Sequence, residues 1–241
     1  MTRWLGIMAA VGSLALGGIV LAGTPFGSDD GGFLPPDAPK GPITKCENGV
    51  GKGVSKLAAA ILKCHAGRVT GKLATEAAEE ACEGAALTKF GTTKTATCDP
   101  CTSLAAIGAA TEGLIDTNND KVYCSSVGAA FTGDDTGTIP TDAPKGPIAK
   151  CENGVAKGVA KLVGAIAKCH ALRASGKLAT DAAEETCEGA ALTKFGTTKT
   201  VGCDTCTVLA TLGAFVETTV DAANGLVYCK SPSGAFLDAD L

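Results

Sequence analysis

The sequence predicts an all-α protein: two tandem, disulfide-stapled modules of about three helices each, joined by a Gly/Pro/Asp-rich linker and preceded by a signal peptide. Three observations carry that expectation. The chain repeats itself at an offset of 105 residues, its 12 cysteines all obey that offset, and apolar residues within each copy recur at helical spacing.

The chain opens on a leader. Arg3 is the only charged residue before Asp29, Trp4 to Val20 is an almost unbroken apolar run, and Val20-Leu21-Ala22 offers a cleavage site. Residues 1–22 are read as a signal peptide. An uncleaved anchor is the alternative, because the run approaches the length that spans a bilayer. No cysteine follows Ala22 or Gly23, so a lipoprotein is not expected.

Asp37 to Ile43 recurs as Asp142 to Ile148 with no change, and Glu83 to Thr95 recurs as Glu188 to Thr200. Cys46, Cys64, Cys82, Cys98, Cys101 and Cys124 become Cys151, Cys169, Cys187, Cys203, Cys206 and Cys229. This is the pattern of a tandem duplication. Residues 23–39 and 132–144 are rich in Gly, Pro, Asp and Thr and read as solvated linkers. The modules then span residues 40–131 and 145–236, with a short tail at 237–241.

Within one module, Pro42 suits the first turn of a helix. Cys46, Val50, Val54, Leu57, Ile61 and Cys64 follow on one face. Lys63, His65 and Arg68 complement the dipole at its end, and Gly67 or Gly71 can terminate it. Thr75 is placed to cap a second helix, with Ala78, Cys82, Ala85, Ala86 and Phe90 inward and Gly91 as its stop. Asp99 is expected to cap a third helix, with Pro100 at its first position and Leu104, Ile107, Leu114 and Ile115 among its apolar residues. Asn118-Asn119-Asp120 reads as a turn, and Val122-Tyr123-Cys124 as a short extended return.

The cysteines suggest a nested ladder. Cys64 and Cys82 are equidistant from the turn at Leu73, so they pair across an antiparallel hairpin. Cys46 pairs with Cys98 or Cys101, and the remaining one with Cys124; the scheme repeats in the second module. Such bonds are needed, because a chain with 32 glycines and 4% aromatic residues buries little apolar area per side chain.

Candidate chemistry is sparse. Cys98-Asp99-Pro100-Cys101 and Cys203-Asp204-Thr205-Cys206 have the spacing of a thiol–disulfide couple, but lack a thioredoxin-like βαβ setting. Thr102 and Thr207 follow these motifs where c-type haem attachment needs histidine. His65 and His170 each follow a cysteine, Cys64 and Cys169, which allows metal ligation, yet a solvated helix-terminal histidine is the expectation. Gly67 to Leu73 is too short for a phosphate loop. Asp116, Asn118 and Asp120 have the first spacings of a calcium loop, but Lys121 and Val127 stand where Gly and Glu are required. Asp29-Asp30 and Asp134-Asp135 are expected in solvated linker, with loose calcium contact the only chemistry open to them. Glu79, Glu80 and Glu83, recurring as Glu184, Glu185 and Glu188, are expected on the wet face of an Ala-rich helix.

No metal or other cofactor and no catalytic residue is therefore expected, and the cysteines are read as structural. A net charge of −4 and few aromatics give no reason to expect nucleic acid as partner. The membrane would be met only through an uncleaved leader. The expected role is an exported, non-enzymatic structural or interaction protein, secreted, periplasmic or at the cell surface. Its two equivalent modules would act as spacer or bivalent binder toward a protein or surface partner, with self-association open. The alternative is a redox or metal-handling protein using Cys98, Cys101, Cys203 and Cys206. A small-ligand binder using Gly49 and Gly53 is a third reading.

Overall fold

A computed structural model describes residues 24–229; the expected signal peptide and the tail lie outside them. The described chain is mostly helical. Helices α1 (Pro42–Val69), α2 (Glu76–Phe90) and α3 (Leu104–Asp116) are followed by a two-stranded antiparallel hairpin of β1 (Gly128–Ala130) and β2 (Thr138–Pro140). Helices α4 (Pro147–Ala174), α5 (Asp181–Phe195) and α6 (Leu209–Ala222) then repeat the first three.

Pro42 does open α1, and the cap beneath it is a residue that sequence reasoning left in the linker. The Asp37 carboxylate accepts hydrogen bonds from the N–H groups of Ile43 (2.7 Å) and Thr44 (2.9 Å) and from the Thr44 hydroxyl (2.7 Å). Burial works against its charge, but these bonds hold it below the usual carboxylate range. A side chain at Gly41 would overlap that carboxyl, and Asp142 with Gly146 repeats the arrangement at α4. Thr75 caps α2 through the Ala78 N–H, and Gly91 closes it, both as expected.

Other elements differ. The third helix starts at Leu104, capped by Ser103, because Asp99 and Pro100 are taken up in the preceding turn. Val122-Tyr123-Cys124 forms no strand; it follows a 3-10 turn at Asn119–Lys121, and the hairpin lies beyond it. The buried face of α2 is also rotated from the expected one: Glu79 and Glu83 are inside, and Ala85 is exposed.

Helices α1 and α4 pack antiparallel through the middle of the molecule. Asn48 of α1 donates to the Ala171 carbonyl of α4, and Ser55 of α1 lies against Gly164. One continuous cluster joins Leu62, Val69 and Val122 to Val155, Leu162, Ile166 and Leu212. Tyr123, at the end of the first half, donates its hydroxyl to Asn153 of α4 at 2.8 Å, and Tyr228 donates to Asn48 of α1 at 2.7 Å. Each half thus sends its last residues into the other.

All twelve cysteines are disulfide-bonded. Cys46–Cys98, Cys64–Cys82, Cys151–Cys203 and Cys169–Cys187 fit the expected ladder. The remaining rung does not. Cys101 pairs with Cys229 and Cys124 with Cys206, so the third bond of each copy crosses between halves. The swap follows from the tyrosine ends, which carry Cys124 and Cys229 to the opposite half.

The linkers are not solvated throughout. Phe26, Asp30 and Pro35 of the first and Asp135 and Pro140 of the second are buried, as is Phe131 just before the second. Residues 24–35 lie along the end of the second half, where Phe33 N–H donates to the Tyr228 carbonyl at 2.9 Å and Gly31 N–H to the Asp221 carbonyl at 2.8 Å. The hairpin makes the matching bonds to the first half, from Thr138 to Tyr123 and from Thr136 to Asp116.

Candidate metal centres

Each half gathers one histidine and four carboxylates at a point where three helices and a linker segment meet. In the first half His65 comes from α1, Glu79 and Glu83 from α2, Asp116 from the last residue of α3, and Asp135 from the hairpin turn. The Cys64–Cys82 bond ties α1 to α2 beside this point, since Cys64 precedes His65 and Cys82 precedes Glu83. Glu79 and Glu83 are one turn apart, so both face inward together. Asn119 fixes the Asp135 turn by donating its amide to the Thr136 carbonyl at 2.9 Å.

The second half uses His170, Glu184, Glu188 and Asp221 in the same roles. Its linker carboxylate is Asp30, which reaches it from the front of the chain, and Asn224 donates to the Gly31 carbonyl at 3.0 Å to hold that segment.

The solvated-histidine expectation is overturned: His65 is 0% exposed, and none of the ten side chains exceeds 8%. Glu79, Glu83, Glu184 and Glu188 are not on a wet face, although Glu80 is exposed. Asp116, at the end of α3, is a buried member of the cluster.

The distances are specific. His65 Nε2 lies 2.9 Å from Glu83 Oε1, 2.9 Å from Asp135 Oδ1 and 3.4 Å from Asp116 Oδ1. His170 Nε2 lies 2.9 Å from Glu188 Oε1, 2.9 Å from Asp30 Oδ1 and 3.3 Å from Asp221 Oδ1. An imidazole nitrogen carries one N–H and can satisfy one acceptor in line with it. Yet neither Nε2 makes a hydrogen bond of regular geometry among the described residues, although three oxygens stand within 3.4 Å of each. Three carboxylate oxygens thus converge on a nitrogen that has a single N–H to offer. An ion about 2.1 Å from every donor would hold right-angled donors about 3.0 Å apart and tetrahedral ones about 3.4 Å apart. Both spacings are present.

The electrostatics point the same way. Burial pushes the Glu79 carboxyl up to about 8, with the charges of Asp135 and Glu83 adding to it. Glu184 is pushed to about 9 and Glu188 to about 7, while Glu83, Asp116 and Asp221 are raised for the same first reason. Burial opposes charge on His65, but Asp116, Asp135 and Glu83 outweigh it and drive the imidazole up to about 12. Glu79, Glu83, Asp116, Glu184, Glu188, Asp221 and His65 are thus all displaced in the direction that adds positive charge. Arg68 supplies only a distant counterion, its Nε 3.8 Å from Glu79 Oε2.

The sequence-predicted candidates fall elsewhere. Cys98 and Cys101 are bonded to different partners rather than to each other, as are Cys203 and Cys206, so neither CxxC forms the couple that a redox motif cycles through. A Cβ added at Gly53 would lie 3.0 Å from the Phe90 ring, and one added at Gly49 would meet nothing within 4 Å. An apolar cavity of about 140 Å³ does lie between the halves, lined by Gly51, Val54, Leu62, Val159, Val163 and Phe215 among others.

The signal that could have found the centres is recurrence of the donors themselves. His65, Glu79, Glu83 and Asp116 return at the common offset, and Asp30 returns as Asp135. Among the described residues, no helix is long and apolar enough to cross a membrane. Comparison with family models, curated protein sequences and solved structures finds no match to this chain.

Proposed function

We propose that this is an exported, non-enzymatic metal-binding protein in which each half buries one divalent first-row transition ion as a structural cross-brace. The first ion is held by His65, Glu83, Asp116 and Asp135, and the second by His170, Glu188, Asp221 and Asp30. Glu79 and Glu184 stand at the edges. Imidazole favours ions such as Zn²⁺, and carboxylates favour harder ions such as Mn²⁺, so the mixed set suits a mid-row ion better than copper or a pure calcium cage. The observation that carries the reading is the convergence of three buried carboxylate oxygens, 2.9–3.4 Å away, on one imidazole nitrogen with a single N–H to offer.

Enclosure of the donors favours a structural ion over a catalytic one, which keeps an open position. Each ion would join three helices to a linker segment, so its binding energy would be folding energy. Export fits twelve paired cysteines, which persist in oxidising compartments. On this reading residues 1–22 are the signal peptide, and the duplicated modules work as one rigid body rather than as two independent binders.

The test is metal content. The oxidised protein, purified without chelators or reconstituted with Zn²⁺ or Mn²⁺, should hold two ions per chain by mass spectrometry of the digested sample. His65→Gln should leave one, and His65→Gln with His170→Gln none. Failure to retain either ion at micromolar concentration, or an unchanged count in the double variant, would overturn the proposal.

A further inference from the structure

Outside the buried centre of the second half lies a second gathering of oxygens. Asp29, Asp30, Asp181 and Glu185 each offer one carboxylate oxygen, all within 4.8 Å of one another. Asp29 is exposed and Asp181 and Glu185 are half-buried, whereas Asp30 is 8% exposed. Asp30 links the two groups. Its Oδ1 is paired with His170 Nε2 at 2.9 Å, and its buried Oδ2 has no hydrogen-bond partner among the described residues.

Gly27 explains how these oxygens come together. A Cβ there would overlap Asp181 Oδ1 and lie 2.9 Å from Asp30 Oδ2, so the missing side chain lets the two carboxylates face one space. The Ser28 N–H, which donates to Asp181 Oδ1 at 3.2 Å, is the only nearby backbone donor to that pair among the described residues. The first half carries Thr132 at the place of Gly27 and Glu76 at that of Asp181, and its corresponding carboxylates are not gathered this closely.

We infer that Asp30 bridges the buried ion of the second half to an outer calcium site formed with Asp29, Asp181 and Glu185, a site the first half lacks. The inference rests on the buried ion proposed above. Four carboxylates with no nitrogen or sulfur select a hard cation, and oxygens spread up to 4.8 Å apart can lie on opposite sides of one ion about 2.4 Å from each. Two donors belong to the segment before α1 and two to α5, so the ion would clamp the front of the chain onto the second half. A partly exposed site of this kind belongs with extracellular modules, whose affinities lie at about 10⁻⁴–10⁻³ M.

Equilibrium dialysis of the Zn²⁺-loaded full chain against ⁴⁵Ca²⁺ should find one Ca²⁺ per chain in addition to two Zn²⁺. Asp181→Asn with Glu185→Gln should weaken Ca²⁺ at least tenfold and leave both Zn²⁺ in place. Asp29→Asn, on an exposed side chain, provides the same readout if that double variant fails to fold. Two Zn²⁺ with no Ca²⁺ uptake, or undiminished Ca²⁺ in the variants, overturns this inference alone. Absence of Zn²⁺ from the wild type overturns it together with the reading it rests on.

Discussion

Glu83→Gln should change stability in opposite directions with and without metal. Oxygens of Glu83, Glu79 and Asp135 lie within 4.8 Å of one another. At an effective dielectric of about 20, two unit charges that close repel by at least about 3.5 kcal/mol. Burial and the charges of Asp116 and Asp135 raise the Glu83 carboxyl despite its contact with His65, so its ionised form is disfavoured on balance. Proton uptake caps the cost, and neutralising Glu83 in chelated protein at pH 8 should recover about 2–4 kcal/mol. For a fold of this size that raises Tm by about 5–15 °C, at roughly 2–4 °C per kcal/mol. In loaded protein the same change removes a ligand 2.9 Å from His65 Nε2. Breaking a buried charge constellation costs about 3–5 kcal/mol, so Tm should fall by about 6–20 °C. Scanning calorimetry with chelator and with excess Zn²⁺ decides it. A shift of the same sign in both conditions would refute the argument that the carboxylates are arranged around a cation.

Three further outcomes are expected. Burial pushes the Glu152 carboxyl up to about 8, with Asp204 and Asp142 adding to it, so the folded state binds its proton more tightly than the unfolded chain. Its contribution to stability is complete below about pH 4.5 and is lost as pH rises through about 8; Glu152→Gln should remove that slope in urea titrations at pH 5 and pH 8, and an unchanged slope counts against it. A protease site inserted between the exposed Gly133 and Asp134 should give a cut protein that stays one species on a denaturing gel until reduced, because Cys101–Cys229 and Cys124–Cys206 bridge the halves. Separation before reduction would assign the third bonds within each half. Gly49→Ala, in open space within α1, should stabilise by about 0.8–1.0 kcal/mol in denaturant melts, and a loss of stability would show a contact there.

Much of the scaffold was legible because it depends on local signals. Pro42, Thr75 and Gly91 mark helix ends by backbone chemistry alone, and the hairpin of α1 and α2 fixes Cys64 opposite Cys82. The crossed bonds were not legible, for a reason particular to duplicated chains. Cys124 with Cys101 and Cys124 with Cys206 are the same pairing in repeat coordinates, so periodicity cannot separate them; only the excursion of Tyr123 to Asn153 does. The centres were missed because charge on an Ala-rich helix ordinarily means solvent. Glu79 and Glu83 break that rule only because Asp116 and Asp135, 33 and 52 residues beyond Glu83, converge on the same imidazole.

The exchange of chain ends bears on what half of this molecule could do alone. A single copy, residues 24–124 for instance, would retain His65, Glu79, Glu83 and Asp116 but lack Asp135, and its Cys101 and Cys124 would have lost the partners they use here. Its own Asp30 segment and cysteines are complementary to a twin, so two such fragments could restore both centres by forming a two-fold homodimer. The full-length chain is in that sense a symmetric dimer fused into one polypeptide.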